Sequence, residues 1–354
     1  MNSEIITGIE YRSADRRKSR RKRRRSHSGG FFRWLLLFAV VLSAAGLWYR
    51  GFGDLLRDRY DLRGRTECLL RETAPSSALS PFASSLAVVS EEDESSEGET
   101  IGANSGLLIE EGQEHPIFSK HAFQKMNPAS TTKIMTCLVA LEHVDLSEVW
   151  TAGPEVRVSE PNASMAGIKE GDRLTAEQVL YGLMLESGAD AANMVALHVA
   201  GGEERFVALM NEKAKQIGAV HTHYTNTHGL TAEGHYTDAY DLYLILHEAM
   251  KNRQFPAFAG TARYRVEYLN QSGEKQSREW ESTNYYLNGK AQLPPGLQVL
   301  AGKTGTTMAA GACLAQASRT EDGSVVYSIL LKAANHDSLY REMNVLLEKV
   351  AHLD

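Results

Sequence analysis

N-P-A-S-T-T-K-I-M-T-C-L-V-A-L-E, Asn127 to Glu142, is the stretch that decides the fold. From Thr132 onward it is apolar nearly all round at helical spacing, so it reads as a buried helix. Ser130 and Lys133 open it. They stand at i and i+3 and so share one face. A capping box would carry Glu or Gln three residues after the serine. A lysine there opposes the positive end of the helix dipole. Chemistry supplies a reason for it: a neutral amine within reach of a hydroxyl is a base that can activate it. The spacing alone is weak, because Ser19–Lys22 and Ser272–Lys275 repeat it. One lies in a basic tail and the other in a polar turn, and neither opens an apolar helix.

On either side of this helix the pattern alternates in kind. G-L-L-I-E and P-I-F-S-K read as two short strands joined at E-G-Q-E-H. Helical runs follow at 176–186, 191–199, 203–217 and 240–251. Strand-like runs return at 262–269, 312–318 and 325–331, and a helix closes the chain over about 338–351. Strands, a block of helices, then strands again predict an α+β domain over 105–354. Its mostly antiparallel sheet draws its edges from both ends.

The first hundred residues differ. The net charge of −6 splits into +9 over residues 1–50, from twelve Lys/Arg and three acids, and −15 over the rest. So acidic a body is a poor partner for nucleic acid. Residues 1–30 form a basic tail. Residues 31–49 (F-F-R-W-L-L-L-F-A-V-V-L-S-A-A-G-L-W-Y) read as a membrane anchor with flanking aromatics, Arg33 snorkelling to the headgroups. Ser43-Ala44-Ala45 also fits a signal-peptide cleavage site. The long basic region and the aromatics beyond that site favour the uncleaved anchor. Residues 50–104, rich in Ser, Pro and acids, read as a disordered stalk. Three cysteines, Cys68, Cys137 and Cys313, make no disulfide framework.

Two further motifs carry chemistry. In A-G-K-T-G-T-T, Ala301 to Thr307, the glycines admit a close backbone approach. A free strand edge there can pair with an extended peptide. Lys303 offers a cation to a carboxylate, and Thr304 and Thr306 offer hydroxyls. In E-S-G-A-D, Glu186 to Asp190, Gly188 can end one helix and Asp190 can cap the next. Read alone, Ser187 belongs to a helix junction.

In order, the three pieces are S-x-x-K, then S-G-x, then K-T-G, the set of the penicillin-binding proteins and class A β-lactamases. With N-P-A-S-T-T-K-I-M-T, G-I-K-E-G-D-R-L-T, F-V-A-L-M-N-E-K-A, T-N-T-H-G-L-T-A-E-G-H-Y-T-D-A-Y-D-L and T-N-Y-Y-L, the chain resembles the serine-type D-alanyl-D-alanine carboxypeptidases. These are low-molecular-weight penicillin-binding proteins, and the likeness runs from about Gly106 to Leu346. It implies the penicillin-binding-protein/β-lactamase-like transpeptidase fold, an antiparallel sheet with flanking helices and an all-helical lobe. It implies Ser130 as nucleophile, Lys133 as its base and Ser187 as proton relay. Lys303, Thr304, Gly305 and Thr306 would bind the substrate carboxylate. Backbone N–H groups of Ser130 and Thr306 would form the oxyanion hole. Neither metal nor cofactor is implied. Implied partners are peptidoglycan stem peptides, β-lactams as covalent inhibitors, and the bacterial cell membrane, with the catalytic domain outside.

One departure stands out: the family's S-x-N triplet reads Ser187-Gly188-Ala189 here. Asn193, one turn on, is the residue that could reach back. Four other readings compete. A class A β-lactamase lacks its Glu-x-x-Leu-Asn here, since Val266 stands in the Glu position. A zinc peptidase would use His221, His223, His228 and His235, but there is no H-E-x-x-H, and the resemblance places His228 and His235 in a structural loop. A catalytically weak wall-sensing protein, or a D,D-endopeptidase of the same fold, completes the alternatives.

Overall fold

The computed structural model describes residues 86–90, 95 and 101–351 other than Asn162, all within the unit that spans 80–354. The segments expected to be a basic tail, a membrane anchor at 31–49 and most of the expected stalk lie outside the described residues. Among the described residues no helix is long and apolar enough to cross a membrane.

The expected α+β architecture is present. A five-stranded antiparallel sheet runs in the order β2 (Phe118–Lys120), β1 (Ser105–Glu110), β9 (Val325–Ala333), β8 (Gly311–Arg319), β7 (Gln298–Thr307). Its edges come from the two ends of the domain. Alternate residues feed opposite cores. Leu107, Cys313, Ala315, Ile329 and Leu331 face the helical lobe, whereas Leu108, Leu314, Val326 and Leu330 face the closing helix α8 (His336–Ala351). Burial on both faces explains the near-continuous apolar runs of these strands.

The lobe consists of α1 (Lys133–Leu141), α2 (Ala176–Met184), α3 (Ala189–Ala200), α4 (Glu203–Ile217), α5 (Ala239–Lys251) and α6 (Phe255–Ala259). Every residue of α1 from Lys133 to Ala140 is buried, as its unbroken hydrophobicity required. A capping box, Thr175 with Gln178, starts α2. The Asp238 side chain caps α5 by accepting from the Asp241 amide at 2.7 Å.

A second sheet was not anticipated. β3 (Val149–Thr151), β4 (Arg173–Thr175), β5 (Arg263–Leu269) and β6 (Lys275–Glu281) form a separate four-stranded sheet, and the run at 262–269 belongs to it. Three-residue strands carry no legible period. β6, K-Q-S-R-E-W-E, is polar at nearly every position and is held by full register with β5.

The folded body also begins earlier than residue 105. Ala87 and Val89 are buried, and Ala87 is bonded at both backbone groups by the hydroxyls of Tyr240 and Tyr243. Ile101 and Ala103 are buried against α8, where the Ala103 amide donates to Glu342 at 2.7 Å. L-A-V-V, Leu86 to Val89, has enough apolar surface to dock, whereas the Ser/Pro/acid bias around it masks that in a composition average.

Candidate active site

Ser130 lies in a single 3₁₀ turn, Ala129–Thr132, that runs straight into α1. Three residues per turn eclipse i with i+3, so Ser130 and Lys133 align. Lys133 Nζ donates to Ser130 Oγ at 3.1 Å and to the carbonyl oxygen of His228 at 2.5 Å. Ser130 Oγ lies 3.4 Å from that same carbonyl. In the neutral amine one N–H is thus held by the carbonyl, leaving the lone pair for the serine proton. Ala129 just before takes φ +48, a strained value for a residue with a side chain. Gly229 packs on it, and a Cβ at 229 would fall 1.9 Å from the Ala129 carbonyl oxygen.

Lys303 stands on β7, the edge strand, and is buried. Its Nζ donates to the Thr304 carbonyl at 3.0 Å. Gly305 presses on the Ser130 turn so closely that a Cβ there would lie 2.8 Å from the Ser130 nitrogen. The two lysines thus share one buried region. Burial, and then the Lys303 charge, push the Lys133 ammonium well below its usual range, while Asp190 pulls it back. Burial lowers Lys303 to about 7. Burial acts on both amines and the Lys303 charge acts further on Lys133, so the neutral form is favoured more at Lys133 than at Lys303. A hydroxyl beside a neutral amine, with a cation behind it, is equipped for acyl transfer to serine.

Ser187 occupies the turn between α2 and α3. Ser187 takes the left-handed conformation at φ +56, and Gly188 does not. Its hydroxyl is buried without a hydrogen-bond partner. A strained residue with an unsatisfied polar atom is a frequent mark of function. The hydroxyl makes no direct bond to Ser130 or Lys133. The turn is tied to the K-T-G strand through Thr283, whose amide donates to the Leu185 carbonyl and whose hydroxyl lies 2.6 Å from that of Thr304.

Asp190 is not the N-cap of α3, which is Gly188, although its carboxylate accepts the first-turn amide of Ala191 at 2.9 Å. Its carboxylate accepts the amides of Ala166, Gly167 and Ile168 at 2.7–2.9 Å, fastening that loop onto the Ser187 turn. Asp190→Ala leaves the buried amides of Ala166, Ile168 and Ala191 and the half-buried amide of Gly167 unpaired, an expected loss of about 3 kcal/mol. A urea midpoint equal to that of the wild type contradicts this clamp.

Asn193 does not replace the missing amide. Helix α3 does begin at Ala189, but the Asn193 carboxamide donates to the Glu155 carbonyl at 3.1 Å. Among the described residues the four histidines do not gather as a ligand set, although His228 and His223 lie near enough to His235 to lower it. His235 bonds Thr132 Oγ1 at 2.9 Å, and burial holds it near 3 and His228 near 4, both neutral. Among the described residues, the His, Cys, Asp and Glu side chains whose donor atoms converge are His221, Asp238 and Asp241. Thr306 Oγ1 lies 2.9 Å from Nε2 of His336, a residue that no motif singled out.

Over residues 90–335 the chain matches the family model described as D-alanyl-D-alanine carboxypeptidase. The chain belongs to the D-alanyl-D-alanine carboxypeptidase family. It is 36% identical over 217 residues to D-alanyl-D-alanine carboxypeptidase DacF of Bacillus subtilis, covering 60% of this chain and 53% of that protein. It is 38% identical over 186 residues to DacB2 of Mycobacterium tuberculosis, covering 52% and 59%. The chain thus spans little more than half the length of these relatives. The Streptomyces K15 DD-transpeptidase superposes with a TM-score of 0.66 at 29% identity, covering 70% of this chain and 97% of that one. The carboxypeptidase-family fold is therefore the one described above, its serine–lysine turn wedged between the helical lobe and the edge of the five-stranded sheet.

Proposed function

We propose that this carboxypeptidase-family enzyme removes the terminal D-Ala from peptidoglycan pentapeptides through an acyl-enzyme on Ser130. The observation that carries this reading is the contact of Ser130 Oγ with Lys133 Nζ at 3.1 Å, inside a buried region shared with Lys303. Lys303, Thr304 and Thr306 receive the substrate carboxylate along the free edge of β7, with Gly305 giving clearance. Lys133 takes the Ser130 proton as Oγ attacks the penultimate D-Ala carbonyl. The proton reaches the leaving D-Ala nitrogen by way of Ser187, and water hydrolyses the ester. Backbone donors at Ser130 and Thr306 stabilise the oxyanion, each worth about 3 kcal/mol in related acyl transfers. Residues 31–49 anchor the enzyme in the bacterial membrane with this domain outside, and β-lactams acylate Ser130 as substrate mimics.

The test is intact-mass analysis after incubation with a penicillin, together with release of D-Ala from a pentapeptide. A single adduct with D-Ala release supports the reading, and loss of activity on chelation favours a metallopeptidase instead. One observation favours a slow enzyme that chiefly binds: Ala189 lacks a carboxamide and that of Asn193 is engaged elsewhere. Ala189→Asn then raises kcat/KM on the pentapeptide by about tenfold, the worth of one hydrogen bond to a polar substrate group. An unchanged rate shows that no amide is needed there.

A further inference from the structure

Thr306 is the exposed hydroxyl of the K-T-G-T edge, and what it offers a substrate depends on where its hydrogen points. Two groups behind it settle that direction. His336 Nε2 lies 2.9 Å from Thr306 Oγ1, and its Nδ1 lies 3.2 Å from the Tyr285 hydroxyl. Tyr285 sits in α7 (Tyr285–Asn288), its ring stacked on Tyr340 at 4.7 Å and 5.4 Å from the His336 ring. The Tyr340 hydroxyl accepts from the Tyr285 amide at 2.8 Å and donates to Asn284. The phenol is therefore held in place by the same helix that buries one face of the sheet.

A neutral imidazole has one donor and one acceptor. Between two hydroxyls it admits two arrangements. In one, Tyr285 donates to Nδ1, Nε2–H donates to Thr306 Oγ1, and the threonine hydrogen is free. In the other, Nδ1–H donates to Tyr285, Thr306 donates to Nε2, and only lone pairs face the cleft. A phenol is the stronger hydrogen-bond donor of the two hydroxyls, and an incoming carboxylate accepts only. Both conditions select the first arrangement.

We propose that Tyr285, His336 and Thr306 form a directional relay that presents the Thr306 hydroxyl as a donor to the substrate carboxylate, with His336 as a positioning residue for carboxylate specificity. The proposal rests on the carboxypeptidase reading above. Lys303 supplies charge to the carboxylate and the relay supplies direction.

The test compares Ser130 acylation rates of the full chain by benzylpenicillin and by its methyl ester, which lacks the anionic group. His336→Phe lowers the ratio of these rates about tenfold, the worth of one hydrogen bond to a charged group. His336→Gln, whose carboxamide can still donate to Thr306, recovers most of it. Tyr285→Phe lowers the ratio less, and the double Phe variant is no worse than His336→Phe alone. A general structural defect slows both compounds equally and leaves the ratio unchanged, which overturns the relay, as does a Gln variant no better than Phe. Failure of the wild-type chain to form any adduct overturns the underlying reading and the relay with it. An adduct with an unchanged ratio overturns the relay alone.

Discussion

Ser130→Ala is expected to abolish labelling by penicillin and to lower D-Ala release by about 10⁴-fold or more, the scale on which removing a serine nucleophile acts. No neighbouring hydroxyl can take over. Thr131 Oγ1 donates to the Pro128 carbonyl at 2.7 Å and Thr132 Oγ1 to the Ala129 carbonyl at 2.8 Å, both turned into the backbone. Ser130 alone in the turn reaches Lys133. The substitution keeps the turn, because Ala129 and Gly229 set its geometry rather than the serine side chain. Intact mass after penicillin is the readout, and an adduct that persists in the alanine variant removes Ser130 from the mechanism.

Lys133→Ala is expected to cost about 10³–10⁴ in kcat/KM, the contribution of a positioned general base. The pH profile gives the more specific signature. In the proposed mechanism Lys133 acts as base only when neutral, so kcat/KM is expected to rise with pH as its lowered pKa is passed. In the same mechanism Lys303 must stay protonated to meet the carboxylate, and burial lowers it to about 7, so kcat/KM is expected to fall as pH climbs through that value. The result is a bell whose descending limb belongs to Lys303. In kcat that limb moves upward, because a bound carboxylate stabilises the Lys303 proton. Lys133→Ala deletes the ascending limb and keeps the descending one. An ascending limb that survives in this variant assigns the base elsewhere.

Some of this was legible early because it is local. The apolar run of α1 with Ser130 and Lys133 at its head needs only helical period to be read. The same holds for the strands β1, β8 and β9, whose hydrophobicity reflects burial on both faces. The order of S-x-x-K, S-G-x and K-T-G carried the family. Composition was less reliable at the stalk boundary, where a four-residue apolar docking segment, Leu86–Val89, was averaged into polar surroundings. The β3–β6 sheet was hidden for a similar reason, since short or polar strands are defined by their partners and not by their own pattern.

Residue order alone told which side chains could do chemistry and on which kind of element most of them would lie. What faces them came from the fold. It brought the His228 carbonyl to Lys133, Lys303 into the same buried region, and His336 to Thr306, from residues 30 to about 170 positions apart in the chain. It gave Asp190 a clamp on the 166–168 loop beside its bond to the first-turn amide of Ala191, and it engaged the Asn193 amide with a carbonyl. The physical reason is one of range. Helical and strand periods act over a few residues, whereas hydrogen-bond satisfaction and desolvation in a buried site depend on groups that only folding makes neighbours.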